Sequence, residues 1–328
     1  MSKKVLVIQP IHDAGLDLLR ARDDIEFEVT TRISEAELVE QVRGVHGITV
    51  RTAVISRPII EAADALEIIS RHGVGYDAVD LKACGERGIP VTITPGTNSV
   101  SVAEHAMLMI LALAKKCFDY DRAVREERFA EARHAMSARD IENKCLLIIG
   151  FGRIGSRLAP RAKAFGMRVL AYDPYVDQEI IRRAGCEAIG NFTRMLHEVD
   201  VLSLHCPLNS ETEKMFGADE LARMKPSALV INTARGGIVD ETALAEALRS
   251  RRLAGAGLDV FEAEPVTPKR DHPLLGFDNV ILSPHSAGLS MEASIRTAEL
   301  TVKNVLDCFD GQLDPEVIVN QQYLKLKV

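Results

Sequence analysis

The chain has no Cys-x-x-Cys pair and no metal-type cluster of cysteine with histidine. Its six cysteines are scattered, so the sequence offers no metal site, and each cysteine reads as a small, reduced, apolar residue. No dense block of lysine or arginine occurs, and the net charge of −7 argues against a nucleic-acid partner. No apolar run approaches membrane-spanning length, and the longest, Ala106–Ala114, reads as buried helix. At the start, Met1–Pro10 carries a lysine pair and only the short apolar run Val5–Ile8, too little for a signal peptide. These absences lead to the expectation of a cytoplasmic protein with no membrane and no nucleic-acid partner. What is present is ordinary for a globular protein: 328 residues, 47% hydrophobic and 27% charged, enough for two domains.

Residues 4–92 alternate short apolar strands with amphipathic helices. Strands are expected at Val5–Ile8, Phe27–Val29, Gly47–Val50, Glu67–Ser70 and Pro90–Thr92, with helices near Ala14–Ala21, Glu35–Val42, Arg57–Ala63 and Leu81–Arg87. That rhythm predicts an open, mainly parallel α/β sheet. The turn-rich stretch from Thr94 to Val100 marks a boundary. A long helix is expected from Ser99 or Ser101 to about Arg128, with Glu104 as a capping partner, and then a polar loop over Ala130–Asn143. The rhythm resumes with strands at Cys145–Ile149, Arg168–Tyr172, Val201–His205, Ala228–Asn232, Gly255–Asp259 and Val280–Ser283. A last helix, Met291–Cys308, precedes a tail whose one apolar segment is Val317–Val319.

The most informative stretch is Cys145 to Gly155. A continuous apolar run ends in Gly150, Gly152 and Gly155, which fit G-x-G-x-x-G between a strand and a helix. Gly150 permits a tight turn, Gly152 lets the backbone approach a pyrophosphate, and Gly155 lets the helix pack on the strand. The helix N-terminus then offers free N–H groups to phosphates. A second strand follows and ends at Asp173, eighteen positions after Gly155, where an acid would meet the ribose hydroxyls. No Lys or Arg follows Asp173 until Arg182, so a 2′-phosphate would meet repulsion and no partner. NAD is therefore expected in preference to NADP.

Three further residues stand at predicted strand ends of this second set. Arg235 follows Ala228–Asn232, where an open α/β sheet binds ligands. An Arg fork there suits a carboxylate and can polarise a ketone, although a loop-tip arginine is the plain alternative. Glu264 and His285 each follow a strand of the same domain. A histidine can exchange a proton near neutrality, and a carboxylate on its other nitrogen fixes the tautomer. The plain alternatives are a capping His and a loop Glu. His105 and His205 lie in apolar runs and read as satisfied core groups, whereas His12, His46, His134, His197 and His272 read as surface or loop positions.

Taken in order, Arg71-His-Gly-Val-Gly-Tyr-Asp77, Gly150–Gly155 with Asp173, His205-Cys-Pro-Leu208 with Thr212, Asn232-Thr-Ala-Arg-Gly236, Gly257–Pro265 and Ser283-Pro-His-Ser-Ala-Gly288 resemble the D-isomer-specific 2-hydroxyacid dehydrogenase family, near its phosphoglycerate dehydrogenase branch. The resemblance covers nearly the whole chain. It implies an NAD-binding Rossmann domain, residues 99–289, inserted into a flavodoxin-like parallel α/β substrate domain, residues 1–98 and 290–328, with a cleft between them. It implies Arg235 as the substrate-orienting residue, His285 as acid/base and Glu264 as its partner. Cofactor contacts carried over are Gly150, Gly152, Arg153, Ile154, Gly155, Asp173, Cys206, Pro207, Thr212, Thr233, Ala234, Arg235, Asp259, His285 and Gly288, with Asp259 as acceptor for the nicotinamide amide. Substrate contacts are Arg51, Gly73, Val74, Gly75, Arg235 and His285, the glycine turn offering bare N–H groups to a carboxylate and Arg51 meeting a distal anion. A homodimer is implied as well.

The expected activity is reversible hydride transfer between NAD and a small 2-hydroxy acid, with 3-phosphoglycerate, glycerate/hydroxypyruvate and 3-sulfolactate as candidates. His72 and Ala78 depart from the usual residues of the phosphoglycerate branch. The competing class is an NAD-sensing, co-repressor-like interaction protein on the same fold. The chain shows no Pro-rich or Ser-rich extension around the core, which favours the enzyme.

Overall fold

The computed structural model describes residues 2–135, 137–266 and 272–324. Residues 325–328 of the expected substrate-domain segment therefore lie outside the described residues. The chain divides into two compact units: Met1–Asn98 with Leu289–Val328, and Ser99–Gly288.

The first unit begins β1 Lys3–Ile8, α1 Asp13–Arg20, β2 Ile25–Thr30, α2 Glu35–Gln41, β3 Gly47–Val50, α3 Arg57–Ala62, β4 Ile68–Arg71, α4 Leu81–Glu86 and β5 Val91–Thr92. Its sheet runs β2-β1-β3-β4-β5 with every pair parallel. This is the flavodoxin-like order. The continuous apolar run of β1 follows from burial on both faces. Leu6 and Ile8 point into a core with Leu38, Ile48, Ile59 and Ile69, while Val5 and Val7 join Leu19 and Ile68 on the other face.

The second unit contains α5 Ser99–Ala114, α6 Cys117–Arg125, α7 Phe129–Ala135, β6 Cys145–Ile149, α8 Gly155–Ala164, β7 Arg168–Tyr172, α9 Gln178–Arg183, β8 Glu187–Ala188, β9 Val201–Leu204, α10 Ala218–Arg223, β10 Leu229–Asn232, α11 Glu241–Arg249, β11 Gly255–Leu258 and β12 Val280–Leu282. The parallel sheet has the order β12-β11-β10-β9-β6-β7-β8. Counted within the unit, this is the Rossmann order 3-2-1-4-5-6 with one more strand, and it reverses direction between β6 and β9. Strand β6 again serves two cores: Leu147 and Ile149 face one, Leu146 and Ile148 the other.

The chain returns to the first unit through α12 Met291–Phe309. Val302 and Val305 of α12 complete the core over Val5, Val7 and Ile68. The tail then pairs with β5: Val319 N–H donates to the Val91 carbonyl at 2.9 Å, and buried Asn320 accepts from Val91 N–H and donates to the Ile89 carbonyl, both at 2.9 Å.

Three expectations need correction. The helix expected over Ser99–Arg128 is two helices, because Lys116 adopts a left-handed φ of 55° that cannot continue a right-handed helix. The loop expected over Ala130–Asn143 holds α7, which buries no side chain and so leaves no hydrophobic period to detect. Glu104 does not cap its helix; it pairs with Arg161 at 3.1 Å. The two-residue strand β8 at the sheet edge has no sequence signal of its own.

Asn320→Ala would strand the Ile89 carbonyl and Val91 N–H. It is expected to lower stability by about 2–3 kcal/mol, measured by urea unfolding; a loss under about 0.5 kcal/mol contradicts the tail's structural role.

Candidate active site

The turn after β6 is built by glycines for two separate reasons. Gly150 has φ +90°, and a Cβ there would lie 2.7 Å from the His205 carbonyl. A Cβ on Gly155 would lie 2.1 Å from the Gly150 oxygen, so α8 can start that close to the strand only without a side chain. A Cβ on Gly152 would meet no protein atom within 4 Å, so the protein's own packing makes no demand for glycine there. Close approach of a ligand backbone does, and the turn fits a pyrophosphate. Arg153 and Ile154 lead directly into the α8 N-terminus.

Asp173 lies just beyond β7. Its Oδ2 accepts from Phe151 N–H at 2.8 Å and its Oδ1 from Tyr175 N–H at 2.9 Å. The acid therefore clamps the glycine turn, and each oxygen keeps a second lone pair for a ribose hydroxyl. Tyr175 donates its hydroxyl to Glu211 at 2.5 Å, which brings a second carboxylate to the Asp173 loop. Sequence spacing gave no hint of Glu211, which comes from the loop after β9.

That loop also carries Cys206, Pro207 and Thr212. Burial pushes the Cys206 thiol up to about 11. The Thr212 hydroxyl donates to the Pro207 carbonyl at 2.6 Å and accepts from Asn209 N–H, so it shapes the loop. His205 is half-buried, and loss of solvent around its ring pushes its pKa down to about 3, so the ring is neutral. Its Nε2 pairs with Ser203 Oγ at 2.8 Å. Thr233 Oγ1 and His205 Nδ1 are buried with no hydrogen-bond partner among the described residues.

The ends of β10, β11 and β12 carry the second group. Buried Asn232, not singled out in the sequence, braces the Arg235 loop: it accepts from Ala234 N–H at 3.0 Å and donates to the Arg235 carbonyl at 2.9 Å. Arg235 donates to the Ala234 carbonyl at 2.7 Å. A Cβ on the next residue, Gly236, would lie 1.9 Å from the Phe261 carbonyl carbon, so the Arg235 loop packs directly on the segment that carries Glu264. Glu264 Oε1 accepts from Phe261 N–H at 3.1 Å, and Oε2 lies 2.8 Å from His285 Nδ1. The two side chains are 36% and 52% exposed, open enough to meet a ligand. Behind them, Glu241 and Glu262 exchange backbone-to-carboxylate bonds at 2.8 and 3.1 Å, and burial raises the Glu241 carboxyl. His272 is not a surface residue. It is packed beside Glu241, edge-on to the Phe261 ring.

Asp259 also has a structural part in this group. It is 1% exposed, and its Oδ1 accepts from Ser283 Oγ and Ser286 N–H while Oδ2 accepts from Ala287 N–H, at 2.5 to 2.9 Å. Its backbone carbonyl accepts from His285 N–H at 2.8 Å. Asp259 is thus a buried brace beneath residues 285–287, just ahead of Gly288.

In the other unit, Arg51 follows β3 and donates to the Pro10 carbonyl at 2.9 Å. The Gly73 N–H is not bare, as had been expected; it donates to Thr94 Oγ1 at 3.1 Å. Within this turn, no hydrogen bond among the described residues engages the Val74 or Gly75 N–H. Burial, with Arg51 and Arg71 nearby, pushes the His72 pKa down to about 4, so His72 adds no positive charge.

A glycine turn with its acid, and an Arg, Glu and His on neighbouring strand ends, define a nucleotide-dependent dehydrogenase. The sequence matches the model of the D-isomer-specific 2-hydroxyacid dehydrogenase NAD-binding domain over residues 107–287. It is 38% identical over 331 residues to a glyoxylate reductase of Korarchaeum cryptofilum, covering 100% of this chain and 98% of that one. It is 39% identical over 309 residues to a D-3-phosphoglycerate dehydrogenase of Archaeoglobus fulgidus, covering 94% of this chain but only 58% of that longer protein. The crystal structure of an NADPH-dependent glyoxylate/hydroxypyruvate reductase of Sinorhizobium meliloti, in complex with citrate, superposes with a TM-score of 0.86 at 30% identity, over 98% of this chain and 100% of that one. The chain belongs to the D-isomer-specific 2-hydroxyacid dehydrogenase family, and its second unit is an NAD-binding domain. No helix among the described residues is long and apolar enough to cross a membrane.

Gly155→Ala is expected to weaken NADH binding at least about tenfold, read by fluorescence titration, because α8 must move away from the turn; unchanged affinity contradicts the close-packing argument.

Proposed function

We propose that the chain is an NAD-dependent dehydrogenase of a small D-type 2-hydroxy acid, of the glyoxylate and hydroxypyruvate kind. The observation that carries this reading is the 2.8 Å contact between Glu264 and His285, on strand ends neighbouring that of Arg235. The bound cofactor supplies hydride to the substrate C2, or accepts it in the reverse direction. Arg235 pairs with the carboxylate and polarises the ketone oxygen. Glu264 fixes the proton of His285 on Nδ1, which leaves Nε2 to give a proton to the oxygen in reduction and to take it back in oxidation. Val74 and Gly75 N–H are the proposed backbone contacts to the carboxylate, and Arg51 is the proposed contact to the far end of the substrate. A homodimer in the cytoplasm belongs to the same proposal.

The small acids are favoured because His72 and Ala78 depart from the usual residues of the phosphoglycerate branch. Arg51 keeps 3-phosphoglycerate and 3-sulfolactate in the test. The test is NADH oxidation by the purified chain with glyoxylate, hydroxypyruvate, 3-phosphohydroxypyruvate and 3-sulfopyruvate. Turnover of the first two is expected, with kcat falling roughly 10²–10⁴-fold in His285→Ala. Binding of NADH without turnover of any acid overturns the enzyme reading in favour of the NAD sensor. A KM in favour of a tailed acid that Arg51→Ala raises about tenfold moves the substrate to that class.

NAD preference rests on Asp173 and Glu211 in the loops at the turn. Asp173→Ala with Pro174→Arg is expected to raise kcat/KM with NADPH about tenfold; a preference of the unaltered chain for NADPH contradicts the assignment.

A further inference from the structure

Helix α5 is almost wholly apolar where it is buried, with Val102, Ala103, Ala106, Met107, Met109 and Ile110 in the core. Among them stands His105, half-buried, and such a group needs a partner. Its Nε2 lies 3.0 Å from Ser283 Oγ. The Ser283 hydroxyl donates to Asp259 Oδ1 at 2.5 Å, so toward His105 it can only accept, and the His105 proton sits on Nε2. Asp259 in turn accepts from Ser286 and Ala287 N–H, and its carbonyl accepts from His285 N–H. His285 itself has a left-handed φ of 52°, a conformation that persists only where the surroundings impose it. A directed series of hydrogen bonds thus runs from α5 to the turn that presents the proton donor, with every member in the same compact unit.

We propose that His105 is a positioning residue for the reaction, acting through Ser283 and Asp259 to hold the His285 turn against Glu264. His105 touches no reacting atom in this scheme. Its N–H fixes the Ser283 rotamer and strengthens the bond that Ser283 donates to Asp259, as bonds in series do. The proposal rests on His285 being the proton donor.

The test compares His105→Leu, His105→Gln, Ser283→Ala and the double variant His105→Leu/Ser283→Ala in the full chain, with kcat, KM, NADH affinity and Tm measured together. Gln keeps an N–H near the Nε2 position; Leu does not. His105→Leu is expected to lower kcat about tenfold, with KM for NADH changed by less than about twofold. His105→Gln is expected to recover at least about half of the kcat. The double variant is expected to lose no more than about twofold beyond the worse single variant, because both act on one element. Wild-type kcat in His105→Leu, no rescue by Gln, or losses that multiply in the double variant would each overturn the proposal. If His105→Leu does not fold, Ser283→Ala and Ser283→Thr carry the test: the Thr variant, which keeps the hydroxyl, should turn over several-fold faster, and equal rates overturn it. His285→Ala separates the two levels. If His285→Ala is inactive while His105→Leu is fully active, only the positioning role fails; if His285→Ala is fully active, the proton-donor reading fails first.

Discussion

One buried carboxylate organises the chemical side of the larger unit. Asp259 accepts three side-chain and backbone donors from the segment Ser283–Ala287, and its carbonyl accepts a fourth bond, from His285 N–H. A carboxylate that is 1% exposed is tolerated only when its lone pairs are engaged in this way. In return it holds His285 in a left-handed conformation that costs about 1 kcal/mol or more by itself. His285 is therefore presented on a turn whose geometry is set from beneath, with Glu264 Oε2 against its ring nitrogen.

The two sheets supply this arrangement by the same rule. Each strand alternates its side chains between two cores, as Val5 and Leu6 do in β1 and Leu146 and Leu147 do in β6, so neither face is left for solvent. Polar work is pushed to the strand ends. Asp173, Cys206, Arg235, Asp259 and His285 all lie just after a strand, where the backbone leaves the ladder.

Much of this was legible beforehand because apolar runs and glycines leave strong marks. The parallel strands of both units, apart from β8, and the glycine turn came directly from such runs. What escaped was whatever depends on the partner of a polar group. Asp259 looks the same in sequence whether its oxygens face a ligand or the N–H groups of residues 286 and 287. His105 sits in an apolar run and passes for core, because Ser283 is 178 positions away. Gly73 seemed to offer a free N–H until Thr94 folded onto it, and α7 escaped because it buries nothing. The candidates Arg235, Glu264 and His285 could be proposed from residue type and order, whereas the bracing bonds of Asn232 and Glu241 could not.

The central claim is that this constellation reduces a keto acid to the D-configured hydroxy acid with NADH. Chiral analysis of the product formed from hydroxypyruvate tests it most directly. The account predicts D-glycerate alone, formed in equal amount to the NADH oxidised. L-glycerate, a racemate, or no product while NADH remains bound would contradict it.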